Sequence, residues 1–191
     1  MSKLYAGFMI DEPKYEVQRT NNFYISIDLS EFGDNGYFEL ACETSGLPSS
    51  STDVLESYYG NSVVKVAGKT TYEDVSITVK DYIQVDMEDI LMKWRDAVYN
   101  PRTGKIGWAK NYKREAAIVL YSPNGTVLRK WVARGVWPTN VELGDLDYSG
   151  SDLRKITMTL SVDEAYPDRT ETRLGESDYT TEGTWSLDAQ Q

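Results

Sequence analysis

The run Trp131 to Asp163, WVARGVWPTNVELGDLDYSGSDLRKITMTLSVD, constrains the fold more than any other stretch of this chain. In its second half Leu153, Ile156, Met158, Leu160 and Val162 fall largely on one face, with Thr157, Thr159 and Ser161 on the other. A period of two marks a strand that packs on one side only. The first half leads into Gly135-Val136-Trp137-Pro138, which reads as a structured Trp-Pro corner between two strands. The run holds no acid–base pair, no metal-ligand spacing and no phosphate loop. Where the sequence is most distinctive it points to shape and assembly rather than to chemistry.

The same alternation recurs along the chain. Phe23, Ile25, Ile27 and Leu29 alternate with Tyr24, Ser26, Asp28 and Ser30. GDNG at 33–36 is a turn, and Phe38, Leu40 and Cys42 then alternate with Tyr37, Glu39, Ala41 and Glu43. These two runs are expected to pair as a hairpin. Gly46 to Asp53 is a loop by composition. Val63, Val64 and Val66 begin another strand, and Val75, Ile77 and Val79 form the next. Strands over 112–122 and 126–134 flank Pro123-Asn124-Gly125, a strong hairpin signal. One helix is expected over 86–99, with Asp86 as N-cap and Ile90, Leu91, Trp94, Ala97 and Val98 on one face. Pro101 stops it, and 100–111 is a loop.

The sum is a mainly β protein, an antiparallel sandwich or barrel with one flanking helix. Residues 1–21 read as an N-terminal arm, 22–166 as one β domain with an extended hairpin or loop at about 44–74, and 167–191 as an acidic C-terminal arm.

Composition excludes several chemistries. The chain has no His, which removes the commonest general base and metal ligand. Ser49 to Ser51 therefore have no Ser-His partner. Cys42 is the single cysteine, so there is neither an intrachain disulfide nor a Cys-based zinc site, and it reads as a small buried hydrophobe. The paired carboxylates Asp11–Glu12, Glu73–Asp74 and Glu88–Asp89 are sequence neighbours and are not placed for joint acid–base work. Asp145 and Asp147 fit a turn better than a calcium site. Gly68-Lys69-Thr70 lacks the earlier glycine and following helix of a phosphate loop. Trp94, Trp108, Trp131 and Trp137 are better placed as core or interface anchors than as a sugar-stacking platform. No enzyme, no metal and no cofactor is expected. The start, MSKLYAGFMIDEPKYE, lacks the long apolar stretch of a secretion leader, and no run approaches a membrane span. One free thiol suits folding in a reducing cytoplasm.

Charge is segregated. Residues 1–92 carry 6 basic and 16 acidic side chains, whereas 93–134 carry 10 and 2. The basic block inside an acidic whole argues against a nucleic-acid grip and for a solvated or subunit-facing surface.

In order along the chain come KVAGKTTYEDVSITVKD (65–81), the helix with Trp94, TGKIGWAKNYKREAAIVLYSPNGTVLRKW (103–131), GVWP (135–138) and LGDLDYSGSDLRKITMTLSVDEAY (143–166). This co-linear set resembles the tail tube proteins of contractile-tailed bacteriophages. Those are related to the inner tubes of contractile injection and type VI secretion systems. Gly135-Val136-Trp137-Pro138, Leu146-Asp147 and the ITMTL strand carry most of it, over residues 20–166.

The resemblance implies a hexameric ring that stacks into a hollow tube. It also implies a continuous β-lined channel, an outer helix and a hairpin that reaches the neighbouring ring. Implied partners are further copies of the chain, a contractile sheath, baseplate and tail terminator proteins, the tape-measure protein, and DNA crossing the lumen without sequence-specific binding. A tube initiator or terminator shares the fold. The implied location is the virion, with assembly in the host cytoplasm and no membrane partner. An acidic wall suits a conduit for DNA, so Asp28, Glu39 and Glu43 are the expected lumen residues. Tyr58, Tyr59, Val63 and Val64 are the expected contact residues between subunits or rings. Trp94, Trp131, Trp137, Pro138 and Asp147 are structural. A carbohydrate-binding β-sandwich tail component is the alternative of a different class.

Overall fold

The computed structural model describes residues 17–168. In chain order the elements are β1 (Phe23–Ile27), a 3-10 turn (Ser30–Phe32), α1 (Tyr37–Ala41), β2 (Cys42–Ser45), β3 (Ser50–Tyr59), β4 (Ser62–Tyr72) and β5 (Val75–Lys80). They continue with α2 (Met87–Val98), β6 (Tyr99–Asn100), β7 (Lys105–Ile106), α3 (Ala109–Tyr112), β8 (Arg114–Tyr121), β9 (Val127–Glu142), β10 (Lys155–Ser161) and β11 (Glu164–Asp168). The mainly β, antiparallel expectation holds.

The main ladder runs β1-β8-β9-β10-β5-β2, with β11 also on β9. The first half of β9 pairs with β8 and β11, and its second half pairs with β10. The sequence suggested two strands meeting at a Trp-Pro corner. Instead Trp131, Trp137 and Pro138 lie in one 16-residue strand that passes through both halves of the sheet. The change of direction comes at Gly135, whose φ is +66°. An added Cβ there would collide with the Asp163 side chain, so the position needs glycine twice over. Opposite it, Asp163 N–H donates to Arg134 C=O at 3.1 Å and the Asp163 carboxylate pairs with Lys113.

The core lies between the two halves and under α2. Ile25, Ile27, Ile118 and Val136 come from one side; Ile77, Val79, Ile156, Met158 and Leu160 come from the other. Helix α2 adds Met87, Ile90, Leu91 and Trp94. Asp86 caps it by accepting from Asp89 N–H at 2.9 Å. Trp94 is 0% exposed and donates its indole N–H to Tyr112 C=O at 2.7 Å. Its ring stacks on Phe32, while Tyr112 meets Trp137 edge-on at 5.8 Å. These contacts tie α2, the 3-10 turn, α3 and β9 into one seam.

Three local expectations are corrected. Residues 37–41 are a short helix, not a strand. The Asp34 carboxylate accepts from the backbone N–H groups of Tyr37 and Phe38, at 2.8 and 3.2 Å, and so starts a helical turn. Phe38 and Ala41, three apart, face the core, and Leu40 is left 75% exposed. The expected pairing of residues 23–29 with 37–43 is therefore absent, and β1 pairs with β8 instead. Leu153 lies outside β10 and is exposed. Within 100–111, expected to be loop, β6 and β7 form a short ladder and α3 begins. Most of the expected N-terminal arm, and the C-terminal arm beyond Asp168, lie outside the described residues. Pro167 and Asp168 themselves end β11 against Trp131 and Lys130.

Removing the indole leaves a large void and an unpaired Tyr112 carbonyl. Trp94→Ala is expected to lower unfolding free energy by about 3–5 kcal/mol, with Trp94→Phe losing less. Urea unfolding followed by far-UV circular dichroism measures it. A loss within 1 kcal/mol for the alanine variant would contradict the seam.

Candidate assembly surface

Strands β3 and β4 form a two-stranded sheet that hydrogen-bonds only to itself among the described residues. The chain reverses through Gly60-Asn61, with Gly60 at φ +60°. Thr52 and Thr70 hydroxyls bridge its base at 2.9 Å. The sequence placed an extended hairpin or loop at about 44–74, and within it β3 is the strand that pairs with β4. The loop expected at 46–53 accordingly ends early, at the start of β3.

Almost every residue of this hairpin is exposed, including Val54, Leu55, Tyr58, Tyr59, Val63, Val64 and Val66. Tyr58 is 70% and Tyr59 68% exposed. Register assigns the faces. Tyr58 pairs with Val63, and Val54 with Ala67, on one side, where Glu56 and Lys65 make an ion pair at 3.4 Å. Tyr59, Val64, Leu55 and Val66 project from the other. The four residues expected as one contact surface are thus divided between two faces. A lone two-stranded ribbon is marginal in water, so this one has apolar area to cover on both sides.

The expected lumen acids are not aligned on neighbouring strands. Asp28 follows β1 and accepts from the Ser30 N–H and Oγ at 3.1 and 2.7 Å. Those bonds hold its carboxyl below the usual carboxylate range. Glu39 sits on α1 and accepts from the Tyr24 hydroxyl at 2.8 Å, which raises the Tyr24 pKa. Glu43 is on β2, and its Oε1 accepts from Lys155 Nζ at 3.1 Å, which lowers its pKa. Depressed carboxyl pKa values of this kind add stability that is present above the unfolded value and lost as pH falls through the folded one.

The Trp platform is excluded by burial. Trp94 is in the core, Trp131 and Trp137 are half-buried in β9, and Trp108 alone of these four is open, at 77%. Asp147 closes a turn by accepting from the Ser149 N–H and hydroxyl. Among the described residues no three acidic, His or Cys side chains are grouped to hold a metal ion.

Much of the basic block is answered within the subunit. Arg114 pairs with Glu31, Lys113 with Asp163, Lys130 with Asp168 and Arg134 with Glu115. Arg154 bridges Asp81 and Glu88, each at 2.6 Å. The open bases of loop 100–110 carried no sequence signal beyond the charge count.

The family model described as T4-like virus tail tube protein gp19 matches residues 19–165. The chain belongs to this family. Two relatives bear the name Tail tube protein gp19. The one from Enterobacteria phage T4 is 28% identical over 142 residues, which cover 72% of this chain and 85% of the relative. The one from Enterobacteria phage T6 is 27% identical over the same length and coverage. Among solved structures, the tube terminating cap of the anti-feeding prophage aligns with a TM-score of 0.63 at 16% identity, over 86% of this chain and 99% of that one. The sheath-tube complex of an extracellular contractile injection system aligns with a TM-score of 0.62 at 17% identity, over 86% and 97%. At such identities the likeness concerns the fold.

Two outcomes test the geometry described here. Replacing Val54–Ala67 by a short Gly-Ser link across the Thr52–Thr70 base should leave a folded, soluble domain that forms no higher assemblies in sedimentation velocity. Unchanged assembly would remove the hairpin from any contact role. Burial pushes the Cys42 thiol up to about 11. At pH 8 only about one thiol in a thousand would be ionised, so folded protein should react with iodoacetamide far more slowly than unfolded protein. Equal rates by mass spectrometry would place Cys42 in an open site.

Proposed function

We propose that this chain is the repeating subunit of a phage tail tube, with hexameric rings stacked into a hollow conduit inside a contractile sheath. The observation that carries this reading is family membership over residues 19–165 together with the β3–β4 hairpin, which is apolar on both faces and uncovered in the single subunit. A neighbouring ring supplies the cover such a ribbon needs. Tyr58 and Val63 then face one neighbouring surface, and Tyr59 and Val64 another. Among the described residues the outer edges of β1 and β2 pair with no strand, which leaves two edges for sheet continuation between subunits.

Residues 22–166 form the assembling domain in this reading, with 1–21 and 167–191 as arms. The working partners are other copies, the sheath, baseplate and terminator proteins, the tape-measure protein and DNA in transit. The chain is a virion component assembled in the host cytoplasm, and its work is structural, without catalysis, metal or cofactor. An initiator or terminator of the tube remains the nearest alternative, and copy number per particle separates it: many rings for the tube, one ring for a cap. Among the described residues no helix is long and apolar enough to cross a membrane.

The acids proposed for the lumen are Asp28, Glu39 and Glu43. Each holds a hydrogen bond, so neutral isosteres test charge without breaking geometry. The combined Asp28→Asn, Glu39→Gln and Glu43→Gln chain should still form hollow tubes by electron microscopy and should slow DNA ejection several-fold, because a less acidic wall holds phosphates longer. Ejection at the unmodified rate would remove these residues from the wall.

A further inference from the structure

Helix α2 separates two unlike surfaces. At its C-terminus, loop 100–110 is ordered: Tyr99 and Asn100 pair with Ile106 and Lys105, and Asn100 Oδ1 accepts from the N–H groups of Arg102 and Thr103. Gly107 fits directly against Ala97, where a Cβ would collide with the Ala97 carbonyl, and its N–H donates to Val98 C=O at 3.0 Å. This fixed loop presents Ile106 and Trp108, both more than three-quarters exposed, among Arg102, Lys105 and Lys110. None of these three bases has an ion-pair partner among the described residues, and no acid lies between 97 and 112.

At the other end, an open groove of about 760 Å³ follows residues 144–155. Leu146 and Leu153 line it and are exposed, and Asp145 and Asp152 lie on it without ion-pair partners among the described residues. The bases of the groove are committed elsewhere: Arg154 to Asp81 and Glu88, and Lys155 to Glu43. Its open charge is therefore acidic. Arg154 also fastens the groove to the start of α2 through Glu88.

We propose that loop 100–110 of one copy docks into the 144–155 groove of a second copy, with Trp108 as the anchor between Leu146 and Leu153. The occupant follows from complementarity in both charge and apolar content. The contact is between copies because the two surfaces sit at opposite ends of a 12-residue helix, roughly 18 Å apart. A patch that meets a different patch on the next copy is heterologous, the kind of contact that closes rings or propagates tubes. This rests on the tube reading and names one subunit contact within it.

The test uses two full-length variants. Lys105→Glu with Lys110→Glu reverses the loop, and Asp145→Lys with Asp152→Lys reverses the groove. Each alone should remain folded by circular dichroism and raise the concentration needed for tube formation at least about tenfold. Mixed in equal amounts they should form tubes again, since each supplies the complement the other lost. Trp108→Ala should weaken assembly without lowering thermal stability. Three results overturn the contact: tubes at unmodified concentrations from both variants, no recovery in the mixture of folded variants, or normal tubes that lose only sheath binding, which would assign the loop to the sheath. Failure of the unmodified chain to form rings or tubes would instead remove the tube reading itself.

Discussion

The bend of β9 at Gly135 is the constraint on which the rest of the structure depends. One strand serves two halves of a sheet only if it turns without losing its ladder. A glycine at φ +66° against the Asp163 side chain allows that. Because β10 and β11 follow the same edge of β9 on either side of the bend, both strands turn together. The turn folds Ile118 and Val136 over Ile156 and Met158, and α2 closes the open side with Trp94. Two sheets built from separate strands would need a second set of contacts to fix their angle. Here the covalent chain fixes it, and the Phe32–Trp94 and Tyr112–Trp137 seam holds it.

A core completed in this way leaves the β3–β4 ribbon with nothing of its own to bury. Its ladder is broken only by a register shift between Thr52 and Val54 and its turn is tight, yet its apolar residues point both ways into solvent. In a monomeric protein such a ribbon is a liability, since exposed strands with Val and Tyr on both faces invite pairing. In the proposed tube it would be a means of assembly, with the same exposed residues covered by a neighbouring copy. In the proposed tube the stabilities of subunit and assembly are therefore different quantities, and Tyr58, Tyr59, Val63 and Val64 would enter only the second.

How much of this was legible follows from which side chains the core selects. β5 and β10 alternate cleanly because each buries one face, and α2 shows a 3.6 period because it buries one stripe. Residues 37–43 misled because a five-residue helix and a short strand both place apolar residues close together. The discriminating signal was Asp34, whose side chain caps the turn that follows. The bend was visible as Gly-Val-Trp-Pro, but not as a bend within a single strand, since pairing partners are set by tertiary contacts. The surroundings of the acids expected to line a lumen were the least legible. Glu39 and Glu43 were placed by a hairpin that does not form, and their hydrogen-bond partners Tyr24 and Lys155 are distant in sequence.

Charge segregation acquires a physical meaning once the pairs are placed. The acidic first half meets the basic middle within the subunit through Arg114–Glu31, and it meets two later bases through Arg154–Asp81 and Lys155–Glu43. Pairs such as these, half in solvent, contribute modestly to stability because lost hydration offsets their attraction. Their larger effect is to remove charge from the surfaces they occupy and leave it concentrated elsewhere. The remainder is a chain of net charge −10 with a basic, aromatic loop at one end of a helix and an acidic groove at the other. Repulsion between like-charged subunits fades beyond about 8 Å at physiological ionic strength, whereas opposed patches act at contact. With the proposed contact, subunits would be held apart in most orientations and attracted in few. That angular selectivity, rather than overall affinity, is what a ring of fixed geometry requires.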